Sequence, residues 1–321
     1  MTGTPWWALL LVVLGGDAGP QVQPVSKGQD DDSGYYRVSV DVDLVVLHAT
    51  VSEQHGGFVS GLREQDFQVY EDGVPQRIRL FRHEDIPVTV GLVVDHSGSM
   101  RTKLAEVAAA ARTFVQFSHR EDQMFVVNFN ENVTLGLPDA IRFTDSSAEL
   151  ERAIANAPAM GMTALYDAIA KALEQLQAGS RDKKVLIVVS DGGDNASAQR
   201  LAQVMDSANQ SSAVIYTIGL FDINDPDRNP KVLNRLAHAT GGEAFFPGHL
   251  SEVVAICERI ARDIRNQYTI GYIPTNAARN GAYRAIRVLA RATGNNSLSV
   301  RTRAGYIASS EPRPVKNQGA K

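Results

Sequence analysis

The chain has 321 residues, room for one large domain and a smaller one at roughly 100 to 200 residues per domain. With 44 % hydrophobic and 21 % charged residues, its composition is that of a globular protein and excludes wholesale disorder or a polytopic membrane protein. The net charge of −4 gives no basic field for a phosphate backbone, so nucleic acid is not the expected partner, and a single cysteine, Cys257, excludes an intramolecular disulfide and a cysteine-based zinc site.

Residues 1–20 read as a secretory signal peptide: nine apolar residues at 6–14, then small residues up to Gly19. That run is too short to span a bilayer, and no transmembrane segment is expected in the mature chain. Export to the periplasm or out of the cell follows as the expectation. Residues 21–35, with the acidic run Asp30-Asp31-Asp32, carry no hydrophobic period and read as a solvated linker.

Residues 36–86 have β texture. Val38, Val40, Val42 and Leu44 alternate with polar residues, the pattern of a half-buried strand over 36–51. Gly56-Gly57 reads as a turn, 67–70 as a strand, Glu71-Asp72-Gly73 as a hairpin turn and 76–81 as the return strand. From Val88 the texture changes: a continuous apolar run over 88–94 suits a strand buried on both faces of a parallel sheet. Helices are predicted over 104–117, 163–176, 197–208, 232–237 and 251–265, and strands over 123–129, 185–190 and 213–220. This alternation predicts a doubly wound, mostly parallel α/β sheet over 87–265. On the apolar side of the last helix, Cys257 is a core residue. Strand texture returns over 266–308, and the two β segments are expected to pair into one small antiparallel sandwich; residues 309–321 read as a disordered tail.

Ligands bind outside the carboxyl ends of strands in open α/β sheets. At those ends stand Asp95-His96-Ser97-Gly98-Ser99 after the apolar run over 88–94 and Ser190-Asp191 after the later run over 185–189, with Thr163 just before a helix between them. Every candidate ligand is a carboxylate or hydroxyl oxygen, which suits a hard cation such as Mg²⁺, not zinc or copper.

Together these segments resemble the metal-ion-dependent adhesion site of the von Willebrand factor A domain, whose first loop is Asp-x-Ser-x-Ser with a Thr and an Asp from two later loops. The resemblance spans about 87–265 and implies Asp95, Ser97, Ser99, Thr163 and Asp191 as the metal set. It implies Ser97 and Ser99 as direct ligands, Thr163 direct or through water, and the two aspartates mainly through water. Mg²⁺ is the expected ion, with Mn²⁺ and Ca²⁺ as alternatives. The wider layout, with Leu-Arg-Glu-Gln-Asp-Phe-Gln-Val-Tyr-Glu-Asp-Gly at 62–73 and Gln-Tyr-Thr-Ile-Gly-Tyr at 267–272, looks like the exported A-domain-related proteins of Acidobacteria.

The function so implied is non-enzymatic: cation-dependent binding of a protein partner that supplies an Asp or Glu carboxylate. A metal-dependent hydrolase would need a base near the ion, and His96 is the one neighbour in sequence. In an alternating loop its side chain is expected to point away and lie exposed. A third reading makes the metal a stiffener of loops and the sandwich the interaction surface. Thr163 taken alone reads as a helix N-cap, and Asp194 as a turn residue.

Overall fold

The computed structural model describes residues 44–53, 57–221, 228–292 and 298–308, all within one compact unit, Val42–Lys321. The predicted signal peptide, linker, residues 36–43, Gly56 and the tail lie outside the described residues. The first β segment gives β1 (Val45–Ser52), β2 (Phe67–Glu71), β3 (Val74–Gln76) and β4 (Ile78–Arg82). The α/β segment gives β5 (Val88–Asp95), α1 (Leu104–Gln116), β6 (Gln123–Phe129), β7 (Val133–Leu135), α2 (Ser147–Ala155), α3 (Leu165–Gln177), β8 (Lys183–Ser190), α4 (Leu201–Gln210), β9 (Val214–Gly219), α5 (Pro230–Thr240), β10 (Ala244–Phe245) and α6 (Glu252–Arg265). The chain closes with β11 (Tyr268–Tyr272), β12 (Tyr283–Ala290), β13 (Ser299–Arg301) and β14 (Gly305–Ile307).

The central sheet runs β10-β9-β8-β5-β6-β7, parallel except for β7. Every residue of β5 and β8 is buried, as their unbroken apolar runs require. Helices cover the two faces as two packed groups, α2-α1-α6 and α3-α4-α5. From β5 the chain turns to β6 on one side and then returns to β8 on the other. That reversal places the crevice of a doubly wound sheet at the carboxyl ends of β5 and β8.

The β segments before and after the α/β part interleave in two antiparallel sheets, β13-β1-β11-β4 and β14-β12-β2-β3. Their shared core holds Leu47, Val51, Phe67, Val69, Tyr268 and Ile270. At its centre Glu71, 2 % exposed, accepts hydrogen bonds from Tyr272 Oη at 2.7 Å and Tyr306 Oη at 3.0 Å. The single return strand expected over 76–81 is two strands in two sheets. β3 pairs with β2, and after Arg77 the chain crosses over so that β4 pairs with β11. Strand β1 is not half-buried either: its second face lies against the α/β part, where Thr50 Oγ1 donates to Asp263 Oδ1 of α6 at 2.6 Å.

Cys257 is buried on α6, and burial pushes its thiol up to about 12. Helix α5 is longer than the expected 232–237 because Asn229 caps it, its Oδ1 accepting from Val232 N, with Pro230 in the first turn. Three elements were not expected: β7, β10 and α2. A cap on Ser146, whose Oγ accepts from Glu149 N, opens α2, and Leu150, Ala153 and Ile154 form its buried face.

Candidate metal-binding site

Strand β5 delivers Asp95 to the sheet edge, fully buried. One carboxylate oxygen accepts from Ser97 N at 2.8 Å and the other from Ser190 Oγ at 2.6 Å. The turn after β5 then brings Ser97 Oγ within 3.1 Å of Ser99 Oγ, and Ser99 Oγ donates to Asp191 Oδ2 at 2.7 Å. Asp191 Oδ1 accepts from Gly193 N at 3.1 Å. Four of the five residues are thus linked through hydrogen bonds, with Ser190 as an added member that sequence reading did not single out. Ser97 and Asp191 are buried and Ser99 is exposed, so the cluster opens to solvent at Ser99.

Thr163, 6 % exposed, stands on the neighbouring loop, and its hydroxyl makes no hydrogen bond to the other four among the described residues. The loop itself is docked on the metal turn: Met160 N donates to His96 O at 2.9 Å and Gly98 N to Gly161 O at 3.3 Å. Three successive amides are pinned around Thr163. Met162 N donates to Glu131 Oε2 at 2.9 Å, Thr163 N to Asn195 Oδ1 at 2.9 Å and Ala164 N to Asn130 O at 2.8 Å. Gly161 has φ +81°, and a Cβ there would fall 1.7 Å from Glu131 Oε2, so the carboxylate closes over a position only glycine fits.

Helix α3 starts at Leu165, and Thr163 does not cap it. Asp194 Oδ1 takes Tyr166 N at 3.1 Å, Ser197 Oγ takes Tyr166 N and Asp167 N, and Asp167 in turn accepts from Ala198 N and Gln199 N. These side chains serve α3, so α4 begins at Leu201 and not at the expected residue 197; Gln203 Oε1 accepts from Arg200 N at its start. Among the described residues the Thr163 hydroxyl has no hydrogen-bond partner.

His96 is 1 % exposed, against the expectation of a surface side chain. The 3₁₀ turn that begins at Gly98 breaks the alternation. The ring points inward to Asn128 Oδ1 at 3.0 Å, and Asn128 Nδ2 donates to Ala153 O at 2.7 Å. With the amide so oriented, His96 Nε2 carries the proton. Burial lowers the pKa of the ring, opposed by Asn128 and the Ala157 carbonyl.

A model described as the von Willebrand factor type A domain matches residues 89–255. The chain belongs to this family. Inter-alpha-trypsin inhibitor heavy chain H2 of Homo sapiens is 25 % identical over 199 residues, 58 % of this chain and 20 % of that protein. An uncharacterized protein of Synechocystis, sll0103, is 24 % identical over 187 residues, 56 % of this chain and 42 % of its own length. The match therefore spans about a fifth to two fifths of these curated relatives. Among solved structures, a von Willebrand factor type A protein from Catenulispora acidiphila superposes with a TM-score of 0.50 at 14 % identity, covering 70 % of this chain and 68 % of that one; this likeness speaks to the fold.

A domains often mediate protein–protein binding and commonly hold a divalent metal. No three His, Cys, Asp or Glu side chains gather into a metal cage among the described residues; the cluster is two carboxylates and hydroxyls, the all-oxygen set of a hard cation. Neither Asp95 nor Asp191 has a Lys, Arg or His in ion-pair range among the described residues. Lys103, buried on the same turn, gives its Nζ to Leu220 O at 2.7 Å instead. Burial pushes Asp95 up to about 6, hydrogen bonds from Ser190 and Ser97 oppose this, and the charge of Asp191 adds to it. Buried carboxylates without a cationic partner fit a cation.

Proposed function

We infer that this A domain binds a protein partner through a divalent cation, Mg²⁺ with Mn²⁺ and Ca²⁺ as alternatives, held by Asp95, Ser97, Ser99, Thr163 and Asp191. One observation carries the reading: the run from Ser97 Oγ to Ser99 Oγ to Asp191 Oδ2, beside a buried Asp95 that has no ion-pair partner among the described residues. Ser97 and Ser99 would offer their hydroxyl oxygens and Thr163 the hydroxyl of a pinned loop, while the aspartates would supply charge and accept hydrogen bonds from Ser99 and Ser190. A cation held there would supply an electrophilic position for the carboxylate of an Asp or Glu on the partner. Two carboxylates balance its charge and no more, which leaves room for a third.

Non-enzymatic binding is supported by His96, the one neighbouring base in sequence: its ring is buried and held on Asn128. Export to the periplasm or beyond the cell is proposed from the apolar run at 6–14. Among the described residues no helix is long and apolar enough to cross a membrane.

A pull-down from an envelope fraction with and without EDTA tests the reading. Partners lost with EDTA and with Asp191→Ala support it. Partners retained in both cases overturn it and move the interaction surface to the sandwich.

A further inference from the structure

Apolar side chains are exposed on both flanks of the serine cluster. Met160 and Met162, 54 % and 53 % exposed, bracket Gly161, whose carbonyl accepts from Gly98 N of the metal turn. On the other flank Phe246 is 39 % exposed and stacks on Phe221 with ring centroids 5.4 Å apart. The chain before Phe221 is tied to the site on both sides: Leu220 N donates to Ser190 O at 3.1 Å, and Leu220 O accepts from Lys103 Nζ at 2.7 Å. Phe246 follows β10, whose Phe245 pairs with Ile218 of β9, so both rings stand at the carboxyl edge of the sheet. Exposed large apolar groups gathered around one point mark an interaction site. Arg101 adds a charge to this rim: exposed beside Met160, its Nε donates to Ala159 O at 3.3 Å.

We propose that this edge is a two-sided apolar cradle for an extended acidic segment of the partner. The acidic residue sits over Ser97, Ser99 and Asp191, one large apolar side chain lies on Phe246 and Phe221, and another lies on Met160 and Met162. The proposal rests on the cation-dependent reading above and adds the sequence chemistry of the partner. Exposed Arg101 and Glu131 put one charge of each sign on the methionine side, so the acidic residue of the segment answers to the cation and Arg101.

The sheet sets the spacing. From the site between β8 and β5 to β10 is two to three strand positions, about 10 to 14 Å at ~4.8 Å per strand, or three to four residues of extended chain at ~3.4 Å each. The methionine loop touches the metal turn directly, so the second apolar residue follows the acid within one or two positions. The partner motif is an aromatic or long aliphatic residue, an Asp or Glu three or four positions away from it, and a second apolar residue close on the other side, in either chain direction.

The test is a synthetic peptide array, screened in Mg²⁺ with and without EDTA, in which a single Asp is held fixed while Phe and Leu are moved through every spacing in both orders. The full chain is compared with Phe246→Ser and with the double variant Met160→Ser/Met162→Ser, each checked for an unchanged melting temperature. The expected result is EDTA-sensitive binding that peaks at the stated spacing and falls about tenfold in each variant. EDTA-sensitive binding that ignores spacing, or that both variants retain, overturns the cradle and leaves the metal reading standing. Binding that EDTA does not touch overturns the metal reading, and the cradle with it.

Discussion

Ser99 and Asp191, 92 positions apart in the chain, share a 2.7 Å hydrogen bond that joins the turn after β5 to the end of β8. Ser99 is exposed, so truncating it leaves no cavity. Ser99→Ala is expected to lower Mg²⁺ affinity at least about tenfold while the melting temperature stays within about 2 °C. Asp191→Ala removes half of the carboxylate charge and is expected to abolish binding by calorimetry. Wild-type heats of Mg²⁺ binding in both variants would refute the site.

The placement of Asp95 and Asp191 at strand ends was legible because Asp95 closes one apolar run and Ser190-Asp191 follows another, and a strand end in a parallel sheet is where side chains meet. The orientation of His96 was not legible, since the rule of alternation stops where the strand stops. Ser146 followed by Glu149 is a local start signal for α2, whose short apolar stripe of Leu150, Ala153 and Ile154 gives little period beside it. The crossing at Arg77 left no local mark. It is decided by β11 and β12, whose residues lie about two hundred positions away and select β4 and β2 respectively. Glu131 and Asn195 were equally silent, because they act on backbone amides that any sequence would present.

Those two residues give a second prediction. Glu131 and Asn195 hold the amides of Met162 and Thr163, so each positions the Thr163 hydroxyl through the backbone of its loop. Glu131→Ala and Asn195→Ala are each expected to weaken Mg²⁺ binding about tenfold. Glu131→Gln, which keeps a carbonyl oxygen for Met162 N, is expected to restore most of it. Equal losses in the Ala and Gln variants would mean that the charge of Glu131, not its hydrogen bond, is what counts.

Asp263 joins the α/β part to the sandwich. Only 2 % exposed, it accepts from Thr50 Oγ1 at 2.6 Å, from Tyr216 Oη at 2.8 Å and from the Arg301 guanidinium. Removing the acid strands three donors, and Asp263→Ala is expected to cost about 3 to 5 kcal/mol in urea unfolding. Asp263→Asn keeps acceptors for two of them and is expected to cost less. A loss below about 1 kcal/mol in the Ala variant would show that the interface is held by its apolar contacts alone.

His48, on the face of β1 turned to the α/β part, sets a pH dependence. Burial pushes its pKa down to about 3, and the charges of Lys183 and Arg303 push the same way. In the unfolded chain the ring titrates near ~6.5. Between these values the unfolded state holds a proton that the folded state refuses, so stability rises with pH there. The His48 contribution is complete above the unfolded pKa and is lost as pH falls toward the folded one, at up to about 1.4 kcal/mol per pH unit. Urea midpoints measured from pH 7 to pH 4 should therefore fall more steeply for the wild type than for His48→Gln, whatever the variant costs at pH 7. Parallel curves would mean that the folded protein accepts the proton and that His48 is not the group responsible.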